Sequence, residues 1–207
     1  MSNTAKVDAY IEEHQRKLQE NPQCANTHYS LGMGYLTKRM FKEAEESFLK
    51  ALECSPKLVE AYVQLGGIAM QRGDLDGCLH YNELAAKIMP LFPVPYANIG
   101  FVHMQRGEAD KAIAAFRQAI KKDANFVQAI ASLGGALYMK GDLDASEGQS
   151  KRALEIEANF GPALNNLALV ELERGNYKQA REYAEKARET GFEPPEGLIK
   201  ELEAHGA

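Results

Sequence analysis

The sequence predicts an all-α chain, a solenoid of stacked helix hairpins with a further helix closing each end. Two observations carry this. Small residues recur in ladders 34 positions apart: Ala51, Ala85, Ala119, Ala153 and Ala187; Gly32, Gly66, Gly100 and Gly134; Gly73, Gly107, Gly141 and Gly175. Within each period the apolar residues follow a helical rhythm twice, with a break between. A period of this length means one supersecondary unit repeated, each copy unable to bury its apolar face without its neighbours. With 207 residues, 45% of them hydrophobic and 26% charged, the chain has the composition of a folded globular protein with room for one or two domains.

Residues 1–24 come first as an N-terminal capping helix. Val7, Tyr10, Ile11, His14 and Leu18 make one stripe over 4–20, and Glu12–Arg16 and Glu13–Lys17 pair at helical spacing. Pro22 falls where a preceding helix ends. Five repeats follow at 25–58, 59–92, 93–126, 127–160 and 161–194. The first reads NTHYSLGMGYLTKR, a break at Met40, then FKEAEESFLKALECSP; the third reads VPYANIGFVHMQR, Gly107, then EADKAIAAFRQAIKKD. Glycine stands where the first helix of the hairpin, helix A, stops and turns, because it takes positive φ without a Cβ clash. Alanine recurs where the second, helix B, approaches a neighbour closely. Pro56 and Pro90 close the first two B helices. After Pro194–Pro195, residues 195–207 carry Leu198, Ile199 and Leu202 on one side and form a C-terminal capping helix. Stacked in order, the five hairpins share one continuous core.

These residues resemble the tetratricopeptide repeat, whose pattern runs W-x2-L-G-x2-Y, then A-x3-F, then P. The first repeat matches with His28, Leu31, Gly32, Tyr35, Ala44, Phe48, Ala51 and Pro56; the second with Tyr62, Leu65, Gly66, Ala69, Cys78, Asn82, Ala85 and Pro90. The third matches with Tyr96, Ile99, Gly100, His103, Ala112, Phe116 and Ala119. The fourth keeps Leu133, Gly134, Leu137, Ser146, Ser150 and Ala153; the fifth keeps Leu167, Ala168, Ala180, Ala184 and Ala187. The resemblance covers about four-fifths of the chain and implies a right-handed superhelix whose A helices line a concave face.

Composition excludes several functions. A net charge of −5 argues against a general nucleic-acid binder, which concentrates positive charge. No apolar run reaches the roughly 20 residues of a membrane helix. Cys24, Cys54 and Cys78 are an odd number at spacings of no metal or redox motif, and the first twenty residues carry no secretory signal, so a reduced, cytoplasmic setting is expected. Gly32-Met33-Gly34 lies inside a helix and follows no strand, which makes it a packing feature rather than a dinucleotide loop. No P-loop, HExxH or GxSxG occurs. The five histidines fall on different repeats or ends, with His28 and His103 at helix-packing positions. Catalytic residues, metal ligands and cofactors are therefore assigned as none. Lys38, Arg72, Arg106, Lys140 and Arg174 form a cation ladder at the ends of the A helices, where each is expected to face the free carbonyls, with Asp74, Glu108 and Asp142 reducing the field.

What remains is the concave face that the resemblance implies. Its residues are Tyr29 and Met33 in the first repeat and Gln64, Gly67, Met70 and Gln71 in the second. Asn98, Phe101, Met104 and Gln105 follow in the third, Gly135, Tyr138 and Met139 in the fourth, and Asn165 and Asn166 in the fifth. Of the thirty inward positions only Glu60 and Glu173 are charged. Relatives that clamp the acidic tail of heat-shock chaperones carry Lys, Asn and Arg where this chain has Tyr29, Met33, Gln64, Val94 and Asn98, so that use is not expected. Asn98, Asn165 and Asn166 resemble groove asparagines that hold a peptide backbone, since an amide both donates and accepts. The ninth position reads Met33, Gly67, Phe101, Gly135, Leu169. Glycine in a helix interior costs roughly 1 kcal/mol, so the Gly-Gly pairs at 66–67 and 134–135 serve closer helix packing or open two pockets. At about 10 Å per helix those pockets would stand ~20 Å apart, which a bound helix spans in ~13 residues and an extended peptide in ~6.

The expected function is a non-catalytic adaptor or scaffold holding an apolar or amphipathic protein segment, helical or extended, in the groove. Two alternatives stand beside it: a self-assembling scaffold, hence a homo-oligomer, and a regulatory or ligand-sensing subunit of a multiprotein enzyme complex.

Overall fold

The computed structural model describes residues 3–206, and among them every regular element is a helix. They are α1 (Asn3–Glu20), α2 (Ala25–Thr37), α3 (Phe41–Cys54), α4 (Val59–Gln71), α5 (Leu75–Ile88), α6 (Pro93–Gln105), α7 (Ala109–Lys122), α8 (Val127–Met139), α9 (Leu143–Ile156), α10 (Gly161–Glu173), α11 (Tyr177–Glu189) and α12 (Glu196–Ala204). The chain divides into two compact units, Met1–Leu91 and Phe92–Ala207.

In the first unit α1 packs on α2, and α2/α3 and α4/α5 pair as hairpins, with α3 against α4. Ala44, Phe48, Leu52, Ala61, Leu65 and Ile68 make its core, flanked by Tyr29, Met33 and Leu36. In the second unit α6/α7, α8/α9 and α10/α11 pair in turn, and α12 lies on α10 and α11. Its core is built of Phe116, Ile113, Leu133 and Leu137, then Ile130, Ala131, Ala153 and Ala163, then Ala168, Leu172, Leu198 and Leu202. All five members of the alanine ladder are fully buried. A larger side chain there would force helices apart.

The turn between the helices of each hairpin is the same device five times. The N–H of Met40, Asp74, Glu108, Asp142 and Asn176 donates to the carbonyl five residues back, at 2.9–3.0 Å, closing the A helix with a residue in the left-handed region. Gly107 has φ 72°, and Gly73, Gly141 and Gly175 match it. In the first hairpin that place is held by Arg39 at φ 59°, a conformation that a Cβ makes unfavourable. The break that the sequence puts at Met40 is thus the same turn without its glycine.

The cation ladder has partners that sequence proximity does not indicate. Lys38 pairs with Asp8 at 2.5 Å, Arg72 with Glu45 at 2.6 Å and Lys140 with Asp110 at 2.6 Å. Arg174 joins Asp144 and Glu147. Each carboxylate lies 27 or 30 positions earlier, on the helix that immediately precedes the hairpin. The nearby acids do other things. Asp74 and Asp142 accept N-cap hydrogen bonds from the N–H groups of Gly77 and Ala145, and Glu108 is held by His103 and Lys111.

Candidate functional site

The predicted site residues lie on A helices, and each unit presents its own set. In the first unit Tyr29 tilts against the buried Phe48 ring at 5.5 Å between centroids. Burial raises its hydroxyl pKa, and a hydrogen bond with Gln64 works against that. Met33 lines a cavity of about 290 Å³ with Lys6, Val7, Tyr10, Gly34 and Thr37. Val7 and Tyr10 belong to α1, read from the sequence only as a cap; their apolar stripe is the signal that could have placed them here. Gln64, Gly67 and Gln71 share one face of α4 by helical spacing, with Met70 half-buried beside them.

In the second unit α6, α8 and α10 supply the face. Phe101 stands edge-on to Phe116, 5.4 Å between centroids, yet stays 37% exposed. Met139 is 43% exposed, and Gln105 is exposed next to Met104. Asn98 is half-buried on α6. Asn166 reaches from α10 to α8, where its amide donates to the Ala131 carbonyl at 2.8 Å. Asn165, although adjacent and 7% exposed, leaves its Oδ1 buried without a partner. The Tyr138 hydroxyl donates to Glu173 Oε1 at 2.9 Å. Its pKa is pushed up to about 12, chiefly by burial, then by that hydrogen bond and the charges of Glu173 and Glu201. Glu173 therefore belongs beside Tyr138, while Glu201 acts on it only through its charge.

The two Gly-Gly pairs divide their roles. A Cβ on Gly134 would stand 2.8 Å from Ser150 Oγ, and one on Gly66 would collide with the Asn82 amide. These first glycines allow helix A to close on helix B. The second ones do not face helix B. A Cβ on Gly67 would meet nothing within 4 Å, and one on Gly135 would sit at ordinary contact, 3.5 Å, from Asn166 and the Met104 methyl. The face is open over Gly67, and over Gly135 it is bounded by Asn166 and the Met104 methyl. In the first four hairpins the alternation along the ninth position also tracks helix B, while in the fifth Leu169 stands with Ala184. Where B supplies a ring, Phe48 or Phe116, the ninth residue is Met33 or Phe101; where B supplies Asn82 or Ser150, it is glycine.

The two histidines at helix-packing positions are held by neighbouring groups. His28 is buried with Nε2 at 2.8 Å from the Pro22 carbonyl, and His103 Nδ1 meets Glu108 at 2.6 Å. Cys78 is buried, which raises its thiol pKa; Cys54 is exposed and Cys24 half-buried. Among the described residues no group of three His, Cys, Asp or Glu side chains is placed to hold a metal ion, and no helix is long and apolar enough to cross a membrane.

Sequence models of the family described as tetratricopeptide repeat match residues 25–58, 99–162 and 163–191, together more than half of the chain. No curated protein matches it. Among solved structures, MamA is 23% identical over 78% of this chain and 94% of its own, with a TM-score of 0.65. YrrB, described as a TPR protein with an unusual peptide-binding site, is 19% identical over 95% of this chain and all of its own, TM-score 0.69. The pilF protein of Pseudomonas aeruginosa is 16% identical over 99% of this chain and all of its own, TM-score 0.77. At these identities the likeness is one of fold.

Proposed function

Because the chain belongs to the tetratricopeptide repeat family, we propose that it is a non-catalytic interaction module that holds an apolar or amphipathic protein segment against the exposed faces of its A helices. One observation carries the reading. On α6 and α8 the large apolar side chains Phe101 and Met139 stay 37% and 43% exposed. Exposed apolar side chains supply contact area for a partner, and methionine adapts to ligands of differing shape. The peptide-binding site in YrrB's description supports the same class of ligand. Three free cysteines suit a reducing compartment such as the cytoplasm.

The test is affinity capture from native cell extract with the wild-type chain beside a Gly67→Arg/Gly135→Arg variant. Both positions admit a Cβ, which has open space at 67 and side-chain contacts of ordinary length at 135. A protein retained by wild type and lost by the variant supports the reading. Identical captures would sink it. If the retained species is the chain itself and its mass in solution rises with concentration, the segment comes from a second copy and the module self-assembles.

A further inference from the structure

The cavity of about 290 Å³ in the first unit lies between α1 and α2. Gly34, on its wall, stands where the later A helices carry Ile68, Val102, Ala136 and Val170, all buried. A Cβ on Gly34 would stand 2.8 Å from Ile11 and 3.3 Å from the Tyr10 ring, so the missing side chain lets α1 close on α2. Buried Ile11 holds the two helices together. Two polar ties help it: the Lys38–Asp8 ion pair at 2.5 Å and the Gln15 amide donating to the Tyr35 hydroxyl at 3.0 Å. Beside these ties the packing is incomplete, with Val7 and Met33 half-buried and Tyr10 39% exposed. One charged side chain lines the cavity, Lys6, which is exposed and forms no ion pair among the described residues. The charges near it in sequence are taken, Asp8 by Lys38 and Glu13 by Lys17. The Thr37 hydroxyl is committed too, donating to the Met33 carbonyl at 3.0 Å.

An apolar hollow with one unpaired cation on its wall suits a ligand that joins an apolar group to a negative charge. Resting on the interaction-module reading, we propose that this cavity is a further docking point of the module. It takes a protein segment with a large aliphatic or aromatic side chain within about two residues of an aspartate or glutamate. The apolar side chain lies on Val7, Tyr10 and Met33, and the carboxylate against Lys6. Ligand pockets begin at roughly 300 Å³, so this one has room for one or two side chains. A hollow of this volume is ~7 Å across, the distance that two residues of extended chain cover. The lysine ammonium only donates and the carboxylate only accepts, so the two are complementary. Tyr10 offers a broad ring and Met33 a flexible one-sided wall that adapts to either kind of side chain. A segment with lysine or arginine in place of the acid would be repelled by Lys6.

The experiment selects random twelve-residue displayed peptides on the full chain. Synthetic copies of the enriched ones are then measured by fluorescence anisotropy against wild type, Thr37→Trp, Lys6→Gln and Gly67→Arg/Gly135→Arg. Thr37 is exposed at the cavity wall, so an indole there fills the hollow. The chain has no tryptophan of its own, so blue-shifted emission checks that the new ring is buried, and far-UV circular dichroism checks that each variant folds. Lys6→Gln, on an exposed side chain, tests the charge even where Thr37→Trp unfolds. The expected result is a set of peptides pairing an acidic with a large apolar residue, whose binding Thr37→Trp abolishes and Lys6→Gln weakens roughly three- to tenfold. Their affinity for wild type should fall as salt shortens the Debye length to about 8 Å, and Lys6→Gln should respond less. Cavity-dependent peptides that carry no acidic residue, or that bind Lys6→Gln as tightly as wild type, would overturn the proposal. So would self-association of the wild type that Thr37→Trp abolishes, since a second copy would then fill the cavity. If peptides are lost by Gly67→Arg/Gly135→Arg and none by Thr37→Trp, the cavity proposal falls and the interaction-module reading stands. If no peptide responds to either, both fall.

Discussion

The third and fourth hairpins follow one plan and are packed in opposite ways. In α6/α7, Gly100 lies under the buried Phe116 ring, with Ala112 one turn before it and Phe101 edge-on from the other side. In α8/α9 the equivalent places hold Gly134, Ser150, Ser146 and Gly135. Both serines are fully buried, and their hydroxyls, with Gln149 Oε1, have no hydrogen-bond partner. One seam is held by an aromatic pair, the other by close approach of small polar residues. The repeat therefore requires a small residue on helix A but tolerates very different partners on helix B. The choice of partner changes the exposed face, because Phe101 rests on Phe116 while Gly135 has no ring to rest on.

The largest expected effect contrasts the two seams directly. Phe116→Ala should cost about 3–5 kcal/mol, the transfer of a ring plus the cavity it leaves. Ser150→Ala at the same place in the next hairpin should be neutral or stabilising by about 1 kcal/mol, since it deletes an unpaired buried hydroxyl. Urea unfolding of both variants measures this, and comparable losses would show that the serine seam has hydrogen bonds of real value. Next come the glycines. Gly100→Ala puts a methyl 2.6 Å from the Phe116 ring and should destabilise by roughly 1–3 kcal/mol through overpacking. Gly135→Ala meets only ordinary contacts and should raise stability by about 1 kcal/mol through helix propensity. Thermal melts giving both the same sign would refute the division of the glycine pairs into seam and face.

The smallest effect is electrostatic. Glu108 of the third hairpin is held below the ordinary carboxylate range by hydrogen bonds from His103 and Lys111, and Glu147 of the fourth by Lys151 and Arg174. A depressed folded-state pKa contributes stability that is present above the unfolded value and lost as pH falls through the folded one. Both should therefore support the fold at neutral pH and fail in acid, below the usual carboxylate range. Glu147→Gln should flatten the acid limb of melting temperature against pH, and an unchanged limb would remove Glu147 from the account. Both side chains are only part-buried, 33% and 22% exposed, so solvent screening keeps the amplitude small.

Much of this architecture was legible in the sequence. The 34-residue ladders place the hairpins, because a small residue at a helix crossing and a glycine at a left-handed turn are local steric requirements that every copy must meet. Arg39 marks one limit. Its turn is the same as at Gly107, but no glycine announces it; position within the period does. The cation ladder marks another. Lys140 lies two residues from Asp142 and thirty from Asp110, yet it pairs with Asp110, since stacked hairpins bring together residues nearly one period apart.

The candidate site was legible as a set of positions and not as a state. Asn165 and Asn166 are identical neighbours in sequence; one amide is tied to the Ala131 carbonyl and the other keeps a bare oxygen. Glu173 and Glu171 differ in the same manner, one open and one enclosed. Sequence alone determined the repeat, the helices and which residues lie on A helices, because these follow from local sterics and from the periodicity of apolar side chains. Only the tertiary structure decided which polar groups on that face are already satisfied, because hydrogen bonding and ion pairing depend on atoms brought together from positions about thirty residues apart.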